Sequence, residues 1–219
     1  NNLNIDESQV KTIHNWTATE KQLNIGRNRD YLCDRKVPRL IFVGWLEEFK
    51  GVFELLKACN NLHINGIKFH LTFFGEGTAE NSAKEFTKMH GLNSCVTFFG
   101  WTNSSDLDNH LEESDIFVLP SWSEGLPSAM IESLAAGLAV VVTSVGVITD
   151  YIKDEKHALI VPPHNVEILE KSIKKLITDR DLRADIAFEG HRTAMNNFSV
   201  ESNIAILGDI IEELIVYKQ

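Results

Sequence analysis

Two glutamates, Glu124 and Glu132, bracket the stretch whose residue types and spacing best suit chemistry, Glu124-Gly-Leu-Pro-Ser-Ala-Met-Ile-Glu132. It follows closely on Asp115-Ile-Phe-Val-Leu-Pro120, an apolar run that reads as a buried strand. It leads into a segment, Pro127 to Ala136, that reads as a helix. Pro127 suits the first helical position, where a missing N–H costs nothing, and Gly137 is a C-terminal stop. Leu126, just before the proline, has no side-chain oxygen to cap the free N–H groups. A strand passing through a short loop into a helix with open N–H groups is an anion site. One carboxylate, Glu124, sits in the loop, and Glu132 lies about a turn and a half into the helix. This arrangement suits a ligand with phosphate in its middle and hydroxyl-rich groups at both ends, such as a nucleotide sugar. The plain alternative is a solvated loop glutamate and an exposed helix glutamate. A hydrolase acid/base pair would leave the anion site without a use.

The elements that must position these residues alternate from Pro38 onward. Arg39 to Gly44, Lys68 to Gly75, Cys95 to Gly100, Asp115 to Pro120, Ala139 to Ser144 and Ala158 to Pro162 are short apolar runs. Apolar on both faces, they suit a parallel sheet buried under helices. Between them, Val52, Leu55, Leu56, Cys59 and Leu62 form one helical stripe, and Val166, Leu169, Ile173, Leu176 and Ile177 another. Asp106 to Glu113 supplies a shorter helix. The alternation predicts a doubly wound, Rossmann-like α/β domain over residues 37–199, with ligands bound beyond the carboxyl ends of the strands. Residues 1–36 stand outside it: Gln9 to Asn15 reads as a strand, and the polar stretch to Arg35 as a linker. Residues 200–219 carry a last amphipathic helix with Ile204, Leu207, Ile211, Leu214 and Ile215 on one stripe.

The E-x7-E spacing, with EGLP at its front and a small-residue helix behind, resembles the retaining glycosyltransferases of family 4, in their C-terminal, donor-binding half. The resemblance implies a two-domain GT-B architecture, of which this chain is one half. It also implies transfer of a glycosyl group, with retention, from a UDP- or GDP-sugar or similar donor. By the same resemblance Glu124 faces the transferred sugar and Glu132 binds the ribose hydroxyls. Main-chain groups around Gly125, Leu126, Pro127 and Ser128 then face sugar and diphosphate. Phe42-Val-Gly-Trp-Leu-Glu-Glu-Phe-Lys-Gly-Val52 resembles the family's first-strand motif, with Gly44 in its turn and Lys50 on the lysine position that neutralises the diphosphate. The family's arginine is replaced by Trp45, which cannot supply a charge. It can stack on a base or sugar, pack against the other half, or mark a weakened enzyme. Phe74-Gly-Glu-Gly-Thr78, with Gly75 and Gly77, resembles the second glycine loop. Gly100 and Trp101 fall where relatives place the base. Val147, Thr149, Asp150, His157 and Ala158 depart from the family pattern, as does Trp16, which stands on a glycine position. The chain is therefore expected to be a divergent member.

The bulk properties agree with an ordinary globular protein: 219 residues, 43% apolar, 24% charged. A formal charge of −10 argues against general nucleic-acid binding, and leaves a bound diphosphate dependent on local positive charge. The three scattered cysteines, Cys33, Cys59 and Cys95, suit a reducing, cytoplasmic setting, at the inner face of the membrane in the full protein. No run approaches the roughly 18 apolar residues of a membrane span, and the start lacks the basic and apolar regions of a signal peptide. Three Asn-x-Ser/Thr matches are no more than chance would supply. No histidine spacing suggests a metal, there is no G-x-x-x-x-G-K-S/T loop, and neither metal nor cofactor is expected beyond the donor itself. A first residue other than Met suggests a fragment. The acceptor and any peripheral membrane contact are expected to belong to an absent N-terminal half, so the fragment alone is expected to be inactive. Two alternatives remain: a catalytically weak nucleotide-sugar-binding or interaction domain, and a nucleotide-sugar epimerase or phosphorylase relative.

Overall fold

The computed structural model describes Val10, Ile13 and residues 17–216, with side chains to Glu213. The candidate strand over residues 9–15 lies, but for Val10 and Ile13, outside the described residues, as does Trp16.

Six strands, β1 (Arg39–Val43), β2 (His70–Phe74), β3 (Val96–Gly100), β4 (Ile116–Leu119), β5 (Ala139–Thr143) and β6 (Leu159–Val161), form one sheet. Their order is β3-β2-β1-β4-β5-β6 and every pairing is parallel. The six apolar runs are these six strands. Every residue of β4 and β5 is buried, because helices cover both faces of a parallel sheet. The order reverses between β1 and β4, so the chain leaves these neighbouring strands toward opposite faces and opens a crevice at their carboxyl ends.

Helix α1 (Glu20–Asn28) precedes the sheet; α2 (Val52–Ile64) and α3 (Glu80–Met89) follow β1 and β2; α4 (Ser104–Glu113) and α5 (Ser128–Ala135) follow β3 and β4. After β5 comes the short α6 (Ile148–Tyr151), and after β6 come α7 (Val166–Thr178), α8 (Arg180–Asn197) and α9 (Val200–Val216). In α2 the whole stripe Val52, Leu55, Leu56, Cys59 and Leu62 is buried, and Leu169, Ile173 and Leu176 of α7 join the same core. Helices α2 and α7 pack together on one face, and α5 packs on α8 and α1 on the other.

The structure corrects three readings. The polar stretch before Arg35 is not simply a linker: it contains α1, which packs on α4, α5 and α8. Its start is a capping box, with Thr19 accepting from the Gln22 N–H and the Gln22 side chain accepting from the Thr19 N–H. The α5 boundary also moves, since Pro127 is the N-cap residue and the helix begins at Ser128. Helix α8, which no apolar stripe announced, lies across α5 and β5 on small residues, Ala184, Ala187, Gly190 and Ala194. In α9, Ile204 and Ile211 are exposed while Asn203 is buried, so part of its apolar stripe has no cover within the described residues.

Candidate active site at the strand-order switch

The crevice between β1 and β4 brings Lys50 and Glu124 together. After β1 the chain runs through a 3₁₀ turn, Glu48–Lys50, into α2. After β4 it runs through Ser121 to Leu126 into α5. The Lys50 Nζ lies 2.7 Å from the Glu124 Oε1, and the two side chains keep 18% and 10% of their exposure. Two glycines permit this closeness. A Cβ on Gly51, at φ +73°, would run into the Pro120 carbonyl. One on Gly146, at φ +61°, would run into the carbonyls of Glu124 and Gly125. The left-handed backbone at both positions favours glycine. Val147 adds an N–H donated to the Gly125 carbonyl at 3.2 Å, so the loop after β5 supports the Glu124 loop from below.

Behind Glu124, α5 begins at Ser128 with no side-chain cap: the Met130 and Ile131 N–H groups bond to the Pro127 carbonyl, while those of Ser128 and Ala129 find no side-chain partner among the described residues. Pro127 is buried, Leu126 is half-buried and packed on the core, and Gly125 and Ser128 are exposed at the loop surface. The helix ends on Gly137 in left-handed conformation. Glu132 lies further along α5, half-buried. Burial pushes its carboxyl up to about 7, helped by the negative charge of Asp108. Asp108 is buried on α4 and held from α1, by the Gln22 amide at 3.0 Å and the Lys21 ammonium at 3.1 Å.

The remaining residues singled out in the sequence gather at the ends of β1, β2 and β3. Gly44, Trp45, Gly75 and Trp101 line a largely apolar cavity of about 280 Å³, with Glu76, Thr102 and Leu107. Trp45 and Trp101 stand at its mouth, 65% and 69% exposed. Gly100 joins the strand ends by accepting from the Gly75 N–H at 2.8 Å. Gly77 packs on the Leu46 backbone. Sequence-distant pairs, Lys50 with Glu124 and Trp45 with Trp101, thus share one edge of the molecule.

Several contributors carried no sequence signal. Glu47 accepts from the Thr78 N–H at 2.9 Å and from its hydroxyl, pinning the first loop to the second; these hydrogen bonds hold the Glu47 carboxyl below its usual range. Trp122 donates its main-chain N–H to the Phe49 carbonyl at 2.8 Å and its indole N–H to Glu54 at 3.1 Å. Such partners lie 31 and 68 positions apart, and no local pattern links them. Among the described residues no cluster of His, Cys, Asp and Glu is placed to hold a metal ion. No helix among them is long and apolar enough to cross a membrane.

A doubly wound sheet with a lysine–carboxylate pair at its switch point, and an apolar cavity beside it at the ends of β1, β2 and β3, defines an open α/β class whose ligand sites lie beyond the carboxyl ends of the strands. The particular family follows from comparison. Residues 28–192 match the family model described as glycosyl transferases group 1, and the chain belongs to that family. An uncharacterized glycosyltransferase of Methanocaldococcus jannaschii is 27% identical over 211 residues, 92% of this chain and 53% of that protein. The lipopolysaccharide core biosynthesis glycosyltransferase LpsE of Rhizobium meliloti is 28% identical over 195 residues, 89% of this chain and 55% of the relative. The chain thus spans about half the length of these curated relatives. Among solved structures, a glycosyltransferase from Rickettsia africae superposes with a TM-score of 0.81 at 23% identity, over 96% of this chain and 59% of the other. Anabaena HepE, in complex with UDP and glucose, gives 0.76 at 17% identity, over 94% and 58%. The fold is therefore that of a GT-B glycosyltransferase domain.

Proposed function

We propose that this chain is the donor-binding half of a retaining, nucleotide-sugar-dependent glycosyltransferase of family 4. The observation that carries the reading is the Lys50–Glu124 pair at the switch point, beside the uncapped start of α5. A donor diphosphate would sit over that helix start and take Lys50 from Glu124. Pre-placed positive charge would then stabilise the departing nucleotide diphosphate, and Glu124, released, would support the reacting sugar. Glu132 would accept from the ribose hydroxyls, and the apolar cavity beside Trp45 and Trp101 would take the base. No divalent metal enters this scheme, since Lys50 and helix N–H groups do its work. Relatives named for lipopolysaccharide and teichuronic acid biosynthesis, and HepE with bound UDP and glucose, support a nucleotide-sugar donor and a polysaccharide setting. The acceptor and the rest of the catalytic machinery would belong to the half of the relatives' length that this chain does not span. We further place the full protein in the cytoplasm.

A thermal-shift screen of the chain against UDP, GDP, ADP and their sugar conjugates tests the reading. A selective shift with one nucleotide is expected and names the base; no shift with any at millimolar concentration removes the donor site. Retention is tested in the full-length protein, by the anomeric configuration of the product.

Trp45 favours a second reading, a binding or interaction domain with reduced catalysis. It lines the cavity as an exposed indole where the family carries an arginine. Replacing it, Trp45→Arg, separates the two: a gain of roughly tenfold or more in nucleotide-diphosphate affinity, the size of one charge-assisted hydrogen bond, marks a degraded site. Unchanged affinity marks a native role for the indole.

A further inference from the structure

Glu54 is a carboxylate in the first turn of α2, 9% exposed, with no place in the proposed donor chemistry. One oxygen accepts from the Trp122 indole N–H at 3.1 Å, while the other is buried and has no hydrogen-bond partner among the described residues. A buried carboxylate left half-satisfied is costly, so an explanation in terms of α2 stability alone is poor. Trp122 stands two residues before Glu124, and its main-chain N–H is bound to Phe49, the residue before Lys50. The His164 ring, from the loop after β6, packs on the indole in a tilted contact with ring centroids 4.5 Å apart. The His164 Nδ1 lies 3.8 Å from the same Glu54 oxygen.

From this arrangement we infer that Glu54 is a positioning residue: through Trp122 it holds the Glu124 loop onto the Lys50 turn and so sets the pair's geometry. Besides the Lys50–Glu124 bond itself, the loop is tied to the α2 side by two hydrogen bonds of Trp122, one main-chain to Phe49 and one side-chain to Glu54, and of these only the second reaches α2. Without the indole bond Trp122 can rotate, the loop loses its hold on α2, and Lys50 and Glu124 separate. The functional meaning of that geometry rests on the donor-binding role proposed above for Lys50 and Glu124. The positioning itself does not.

The test reads the pair directly. Lys50 is partly shielded by its bond to Glu124, so its acetylation under limiting acetic anhydride, followed by peptide mass spectrometry, reports the pair's integrity. Lys84, exposed on α3, serves as the internal control. Glu54→Leu and Trp122→Phe are each expected to raise the Lys50 labelling rate about fivefold, the size of one net hydrogen bond. The double variant is expected to add nothing further, because both changes break one link. Glu54→Gln keeps an acceptor oxygen and is expected to stay near the parent. Trp122→Phe retains the ring's packing and removes only the donor, so it reads the same bond should Glu54→Leu fold poorly. Unchanged Lys50 labelling in folded Trp122→Phe, or additive effects in the double variant, overturns the inference. Calorimetry with UDP, GDP and ADP completes it: any nucleotide that binds the parent is expected to bind Glu54→Leu about fivefold more weakly and Glu54→Gln almost normally. If none of UDP, GDP and ADP binds the parent, the donor-binding reading falls, while the labelling still decides whether Glu54 positions the pair.

Discussion

Lys50 and Glu124 are each nearly covered, and each compensates the other's charge. Removing one member of such a pair leaves an uncompensated, partly buried charge, and here it also removes the side chain that would meet a diphosphate. Lys50→Ala is expected to weaken nucleotide-diphosphate binding at least about tenfold, by the charge-assisted scale; equal affinity in calorimetry would take Lys50 out of the site. Glu132 behaves differently. Its carboxyl is raised from 4.5 to about 7 by burial and by Asp108. A group whose folded pKa is raised contributes stability that is complete below its unfolded value and is lost as pH rises through the folded one. Glu132 therefore favours the folded state near pH 4.5 relative to pH 8, and the loss runs from about 4.5 to beyond 7. Glu132→Gln removes this ionisation, so its melting temperature is expected to gain on the parent's as pH rises from 5 to 8. Parallel melting curves for the two proteins across that range would contradict the assigned environment.

At the scale of elements, α1 is held by a single side chain to a degree its polar sequence conceals. The Arg29 guanidinium, just past its end, donates to the carbonyls of Ala136, Ser114 and Leu111 at 2.8, 2.7 and 2.8 Å. These lie at the C-termini of α5 and α4, where a cation also meets the negative end of the helix dipole. Arg29→Ala is expected to cost about 2–4 kcal/mol in urea unfolding, from lost charged hydrogen bonds and the orphaned carbonyls. A cost below about 1 kcal/mol would show that water replaces the guanidinium. The start of α1 did carry a local signal that the reading as a linker passed over, since Thr19-Glu-Lys-Gln22 is a capping-box pattern. Its docking was not, because Gln22, Lys21 and Arg29 meet partners more than eighty residues away. Helix α8 was hidden for a related reason: it packs through small residues and the buried Arg183 and His191 rather than a stripe of large apolar ones.

For the whole molecule, a single apolar core runs from Ala18 to Phe198 and takes residues from all six strands and from both helical layers. With one continuous core the described domain is expected to unfold in one transition. In a Trp16→Phe background, circular dichroism at 222 nm and tryptophan fluorescence should give coincident melts, the fluorescence then reporting from the other three tryptophans, Trp45, Trp101 and Trp122, at the carboxyl edge. A separate early fluorescence transition would mean that the site loops open before the core.

The sequence by itself determined the six strands, the doubly wound class and the strand–loop–helix unit around Glu124, because periodicity, glycine stops and proline starts act over a few residues; burial on both faces holds for the central β4 and β5 but not for the edge strand β3, which leaves Thr97 and Phe99 exposed. Tertiary structure alone decided which loops meet. The reversal of strand order between β1 and β4 lays Lys50 against Glu124, 74 positions apart, and the order β3-β2-β1 on the other side sets Trp45 and Trp101 on one cavity. It also decided how far α5 buries Glu132 beside Asp108, and so the range in which that carboxyl ionises. These outcomes depend on distances through space, which the order of strands in the sheet sets and no local pattern encodes.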